Sequence, residues 1–126
     1  RQKTKPSMEL HPSELALLRQ LALIRDSWES AAASAISTAP AALEWSEVPS
    51  EWAKLSSILT TPETQQAFRV VVRELLSGQA HSFLVALDGG SSLADTTLIA
   101  IQDEGGHVFK TFLHEFWPEV GGLTDG

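Results

Sequence analysis

The side chains with the widest chemical use in this 126-residue chain are its four histidines and its many carboxylates. The candidates for chemistry all lie after residue 80 and are His81, His107, His114, Asp88 and Asp103. Imidazole beside a carboxylate suits general acid and base catalysis, and oxygen-rich groups of this kind bind hard cations. A small metal-dependent or hydrolytic enzyme that uses these residues is therefore one hypothesis for the function.

None of the motifs that would specify such chemistry is complete. His114-Glu115 begins the H-E-x-x-H pattern of zinc proteases, but Pro118 stands where the second histidine is required. The glycine-rich loop 88–92 lacks the phosphate-binding spacing and has no Lys or Arg beside it. Turn chemistry also accounts for Asp88 and Asp103. The favoured interpretation is a non-enzymatic protein without catalytic residues, cofactor or metal site.

Negative charge is the strongest compositional signal. The chain carries sixteen acidic and nine basic residues, a net charge of −7 at pH 7. From Ala80 onward, seven acids stand against Lys110 alone, a net charge of −6. Nucleic-acid binding depends on Lys and Arg that neutralise phosphates. The charge therefore argues against a nucleic-acid partner and favours a basic protein.

The predicted partner-binding residues combine these carboxylates with one tryptophan. Carboxylates in turns would meet a basic partner, and Trp is enriched where proteins bind each other. The predicted contact residues are Asp88, Asp95, Asp103, Glu104, Glu119 and Trp117. For the tryptophan, a core position at the end of a helix is the alternative.

Composition also gives expectations for location and domain organisation. The chain has no cysteine, which is compatible with a reducing compartment. No uninterrupted apolar run approaches the roughly 20 residues that cross a bilayer, so we expect a cytosolic protein without membrane association. Residues 1–7 precede the only methionine, Met8, and are predicted to be a tag or a disordered tail. Residues 8–126 are predicted to form a single domain.

Helical periodicity dominates the first 78 residues. A first helix is predicted from Ser13 to about Thr38, and its expected core stripe is Leu17, Leu21, Ile24, Trp28, Ala32 and Ile36. A second helix is predicted over 51–59. A third is expected from Pro62, capped by Thr61, to Ser77, with Gly78 as its left-handed C-cap.

The pattern changes after Gly78. The apolar runs 82–87 and 96–101 have the length and composition of strands, and the loop between them is too short for a helical crossover. A last helix is predicted over 107–116, ended by Trp117-Pro118. The predicted fold class is α+β, with about four helices packed around a central antiparallel β-hairpin.

The segment 68–117 resembles small uncharacterised bacterial domains that share an LDGG, LAD, DE-G and LHE-F pattern. The matching residues are Leu87-Asp88-Gly89-Gly90, Leu93-Ala94-Asp95, Asp103-Glu104-Gly105-Gly106 and Leu113-His114-Glu115-Phe116. Some of those domains are similar to immunity proteins of toxin systems. The resemblance implies a protein that blocks a basic toxin through an acidic face, and it carries over no functional residue. A regulatory subunit or a homodimer is a third hypothesis.

Overall fold

The computed structural model describes residues 10–37 and 43–122, so the predicted tail 1–7 lies outside the described residues. These ranges contain four α-helices and one short 3₁₀ helix. Their bounds are α1 (Pro12–Ser37), α2 (Pro49–Ile58), α3 (Pro62–Leu87), the 3₁₀ helix (Ser92–Asp95) and α4 (Leu113–Gly121). The described residues form no strand, and only an isolated antiparallel bridge joins Gln102 to Val108. The predicted α+β class with a central hairpin is therefore wrong, and the described chain is all-α.

The chain divides into two compact units. Unit 1 comprises the described residues 10–23 and 77–122, and unit 2 comprises Ile24–Leu76. Since α1 and α3 are continuous helices, each supplies residues to both units.

The hairpin prediction fails because its first strand is the C-terminal part of α3. Ser77 and Leu84 are buried, and Ala80 and Leu87 pack against the same core. Steps of three, four and three residues between these positions place them on one face of a helix. A short apolar run does not distinguish a buried strand from a buried helix segment. Here the packing of these residues against the core of unit 1 shows that the run is part of a helix.

The left-handed glycine that follows the end of α3 is Gly89 and not the predicted Gly78. Gly89 has a φ of 83°, the left-handed conformation in which glycine is favoured. Its N–H donates to Ala86 O at 3.2 Å, and the N–H of Gly90 donates to Val85 O at 2.9 Å. This pair of bonds is a Schellman motif, which satisfies carbonyls that the helix leaves without partners.

Without a partner strand, the second predicted strand is an irregular segment. Residues 96–100 are exposed, and a turn follows at 103–106 as the sequence predicts. Asp103 holds that turn by accepting hydrogen bonds from the N–H groups of Gly105 and His107, both at 2.9 Å. The last helix also lies later in the chain than the predicted range 107–116: α4 begins at Leu113 and continues past Pro118 to Gly121.

The core of unit 1 forms where α1, α3 and α4 meet. Its buried side chains are Leu18, Leu84, Leu113, Phe116 and Trp117. Trp117 also donates a hydrogen bond from Nε1 to Ser77 O at 3.1 Å. Since a buried indole N–H needs an acceptor, this bond fixes the ring against α3.

Two glycines offer a matched test of this packing. A Cβ at Gly121 would lie 2.9 Å from the Trp117 ring, whereas a Cβ at Gly78 would meet nothing within 4 Å. We expect Gly121→Ala to lower the free energy of unfolding by about 2 kcal/mol through overpacking. Gly78→Ala should raise it by about 0.5 to 1 kcal/mol, because alanine is the better helix former. Urea unfolding followed by circular dichroism measures both, and equal effects would contradict the close approach to Trp117.

Among the described residues, one helix is long and apolar enough to cross a membrane by length and composition alone. The stretch is Pro62–Asp95, with a mean hydropathy of 1.2, and 11% of its most apolar part is buried. Core helices of soluble proteins, which are mostly buried, and signal sequences near the N-terminus meet the same criterion. In addition, α3 carries Arg73 in an ion pair with Glu29 at 2.8 Å. The cytosolic location stays a prediction.

Candidate functional site

Asp88 and His114, two of the residues considered for catalysis, form a pair in unit 1. His114 Nδ1 lies 2.6 Å from Asp88 Oδ2, and the backbone N–H of His114 donates to the same oxygen at 2.9 Å. A carboxylate at Nδ1 favours the tautomer with its proton there, so Nε2 is the nitrogen left to accept one. Asp88 also satisfies a backbone N–H in the first turn of α4, where Phe112 at the N-cap offers no side-chain bond. The pair therefore has a structural role as well as chemical potential.

Glu14 forms the second acid–imidazole contact of unit 1. Only 1% of this side chain is exposed. It accepts hydrogen bonds from the backbone N–H of His11 at 2.9 Å and of Lys110 at 3.1 Å, and His107 Nε2 lies 3.3 Å away. Burial raises the pKa of Glu14, but these hydrogen bonds together hold it below its ordinary value. Glu14 is a buried anion that ties α1 to the segment before α4.

The third histidine of the enzyme hypothesis lies beside the first pair. The rings of His81 and His114 meet edge to face with their centroids 5.6 Å apart. Among the described residues, no group of three or more His, Asp or Glu side chains is arranged to hold a metal ion. The described residues thus offer two acid–imidazole contacts, and the enzyme hypothesis stays a hypothesis.

The six predicted contact residues differ in their exposure. Asp95, Glu104 and Glu119 are exposed. Asp88 is tied to His114, and Trp117 is 3% exposed in the core, so neither is available to a partner in this conformation. The remaining member is the turn residue Asp103. A hydrogen bond from the backbone N–H of His107 is the main cause that holds its pKa below the ordinary value.

The arginines of unit 2 form ion pairs with acidic residues of the same unit. Arg69 Nε lies 2.7 Å from Glu29, and Arg73 Nη1 lies 2.8 Å from Glu29 and 3.1 Å from Asp26. Arg25 pairs with Asp26 at 2.9 Å. Burial raises the pKa values of Glu29 and Asp26, but bonds from the arginines bring both below their ordinary values. Three of the chain's nine basic residues are thus engaged with acids of the same unit.

An aromatic cluster in unit 2 lies outside the predicted contact residues. Four rings follow one another edge to face, with centroid distances of 5.6, 5.9 and 6.1 Å along the order Trp28, Trp45, Trp52 and Phe68. We call these four residues the aromatic ladder. Trp28 is 51% exposed, although the helical stripe predicts it in the core. The available signal was the concentration of three tryptophans within 25 residues.

Comparisons with protein-family models, with curated proteins and with solved structures give no match. No family is therefore assigned, and a function is proposed from the surface chemistry of the described residues.

Proposed function

We propose that this chain is a non-enzymatic protein-binding protein whose partner presents a basic surface. The observation that carries the proposal is the imbalance of exposed charge. Among the described residues ten acidic side chains are exposed, against four basic ones. One exposed side chain of each sign is already paired, Arg69 with Glu29 and Asp26 with Arg25. Predicted contact residues Asp95, Glu104 and Glu119 belong to the exposed acids.

Such a surface favours a basic partner at long range. Complementary charges speed the encounter of two proteins, and like charges disfavour acidic partners. A bacterial immunity protein that neutralises a basic toxin in the cytosol is the form that the sequence resemblance implies. Any other basic partner would be attracted to the acidic surface in the same way.

The test is the charge of the partner and the salt dependence of its complex. We expect affinity purification of the tagged chain from its own host, at low salt, to retain a protein with more Lys and Arg than Asp and Glu. Between about 50 and 300 mM NaCl the affinity should fall at least about tenfold, because salt screens exposed charges. Calorimetry measures it. An acidic partner, or an affinity that is equal at both salt concentrations, would sink the proposal.

Charge reversal identifies the acids that matter. The triple variant Asp95→Lys, Glu104→Lys, Glu119→Lys should slow association about tenfold at 50 mM NaCl with little change in dissociation. The same comparison at about 1 M NaCl is the control, because a Debye length near 3 Å should erase the difference. Wild-type association rates at low salt would remove these three residues from the contact surface.

A further inference from the structure

The exposed apolar side chains of unit 2 include two members of the predicted core stripe of α1. Trp28 is the largest of them. Ile24, one helical turn before it on α1, is exposed as well, and so are Val71 and Leu75 on α3. Leu75 is 66% exposed. Single exposed apolar residues are ordinary, but a contiguous group marks an interaction surface.

The ion pairs of unit 2 show that these residues lie together. Arg73 reaches both Asp26 and Glu29, so this part of α3 lies level with residues 26–29 of α1. The aromatic ladder starts on α1 at Trp28 and ends on α3 at Phe68. Its rings therefore lie along one side of this helix pair.

The exposed aliphatic residues extend that side. Ile24 stands four residues before Trp28, and on α3 Val71 and Leu75 follow Phe68 at steps of three and four. Residues at these spacings share a helix face. We call the aromatic ladder together with Ile24, Val71 and Leu75 the aromatic face. Ring contacts join the four aromatic residues, and helical spacing places Ile24 on the α1 face of Trp28 and Val71 and Leu75 on the α3 face of Phe68.

Exposed carboxylates stand next to members of the aromatic face in the chain. Glu44, Glu47 and Glu51 flank Trp45 and Trp52 in the chain, and all three are exposed. Glu74 is exposed on α3, three residues after Val71. The arginines of unit 2 are held by Asp26 and Glu29, which leaves Lys54 as the exposed cation near these acids. From these chain positions we infer an acidic rim along the aromatic face.

We propose that the aromatic face binds an amphipathic basic helix of the partner protein. Apolar side chains of that helix would cover the rings and Leu75, and its Lys or Arg side chains would meet Glu44, Glu47 and Glu51 or lie over indole faces. A second copy of this chain fits less well, because it would bring two acidic rims together. This inference rests on the proposed function, and it names the surface that holds the partner after encounter.

A synthetic peptide provides the probe. It is a helix-forming peptide of about 18 residues, or five turns, built from Leu and Lys with one apolar face, and its matched control replaces every Lys by Glu. We expect the Leu/Lys peptide to bind the full chain with a blue shift of tryptophan fluorescence, because Trp28 and Trp45 become covered. The Leu/Glu peptide should bind at least about tenfold more weakly.

Exposed apolar residues elsewhere supply the control variants. Leu75→Ser and Trp28→Ser should each weaken binding of the Leu/Lys peptide about tenfold, with dissociation accelerated. Phe83→Ser and Leu98→Ser, at positions 54% and 73% exposed in unit 1, should leave binding unchanged. Because Leu75 is largely exposed, its variant should keep the wild-type circular dichroism spectrum, which separates a lost contact from a lost fold.

Four results would overturn the inference. The first is that Leu75→Ser and Trp28→Ser weaken binding no more than Phe83→Ser and Leu98→Ser do, and the second is that both peptides bind equally well. The third is a homodimer in sedimentation that Leu75→Ser dissociates. The fourth is binding to phosphatidylcholine vesicles that Leu75→Ser abolishes. If the four variants have equal effects but the affinity for the natural partner still falls with salt, the proposed function remains intact. Conversely, salt-insensitive binding of the natural partner that still requires Leu75 would sink the electrostatic proposal and keep the aromatic face.

Discussion

Replacing Trp117 by alanine is expected to lower the free energy of unfolding by about 3 to 5 kcal/mol, the usual cost of removing a large aromatic ring from a core. The side chain is almost fully buried and packs in the same cluster as Leu18 and Leu84. Its removal would also leave the carbonyl of Ser77 without the bond from Nε1. Urea unfolding followed by circular dichroism gives the value.

Two further tryptophan variants separate the parts of this effect. Trp117→Phe keeps most of the ring but removes the donor, and should cost about 1 to 2 kcal/mol. Trp28→Ala, at a half-exposed ring, should cost about 1 kcal/mol or less. A loss at Trp117 no larger than that at Trp28 would contradict the core position of Trp117.

Trp117 lies in a helix that continues through the proline predicted to end it. Leu113, Phe116 and Trp117 follow the three- and four-residue spacing of a helix face, and that pattern was visible in the sequence. Pro118 was interpreted as the end of the helix, because proline removes a backbone donor. In the structure α4 continues through it to Gly121. The contacts of this face with Leu18 and Leu84 offset the missing bond, and no local pattern reports such contacts.

Local interactions were predicted more successfully than distant ones. The predicted cap of α3 is confirmed, since the N–H of Thr64 donates to Thr61 Oγ1 at 3.1 Å. The turn at Asp103 is confirmed too. Both depend on residues within four positions of each other.

The candidate sites required contacts that spacing does not encode. The bond from Lys110 to Glu14 joins residues 96 positions apart, and the bond from His114 to Asp88 joins residues 26 positions apart. Glu14 stands at the start of a predicted helix, where an acid is common for its interaction with the helix dipole. That local explanation was sufficient, so nothing in the sequence indicated burial. The aromatic ladder was missed for the converse reason, because Trp28 fitted the expected core stripe of α1.

A large effect on stability is also expected at the buried carboxylate of Glu14. Glu14→Ala should lower the free energy of unfolding by about 3 kcal/mol, because it leaves the N–H groups of His11 and Lys110 and the His107 ring without their buried acceptor. Glu14→Gln keeps an acceptor oxygen and should lose about half as much. Glu104→Ala, at an exposed acid, is the matched control and should change the value by less than about 0.5 kcal/mol.

The same residue should also shape the acid sensitivity of the fold. The pKa of Glu14 is lower in the folded state than its ordinary value of 4.5, so its stabilising effect is complete above that value and is lost as pH falls through the folded pKa. Asp26 and Glu29 shift in the same direction and add to the loss. Glu14→Gln, which does not titrate, should therefore lose less stability than the wild type between pH 6 and pH 3, whereas Glu104→Gln should follow the wild type. Urea unfolding at both pH values provides the comparison. If Glu14→Gln and the wild type lost equal stability, Glu14 would not be a buried anion held by these donors, and acid sensitivity would have to arise from Asp26, Glu29 and the remaining carboxylates.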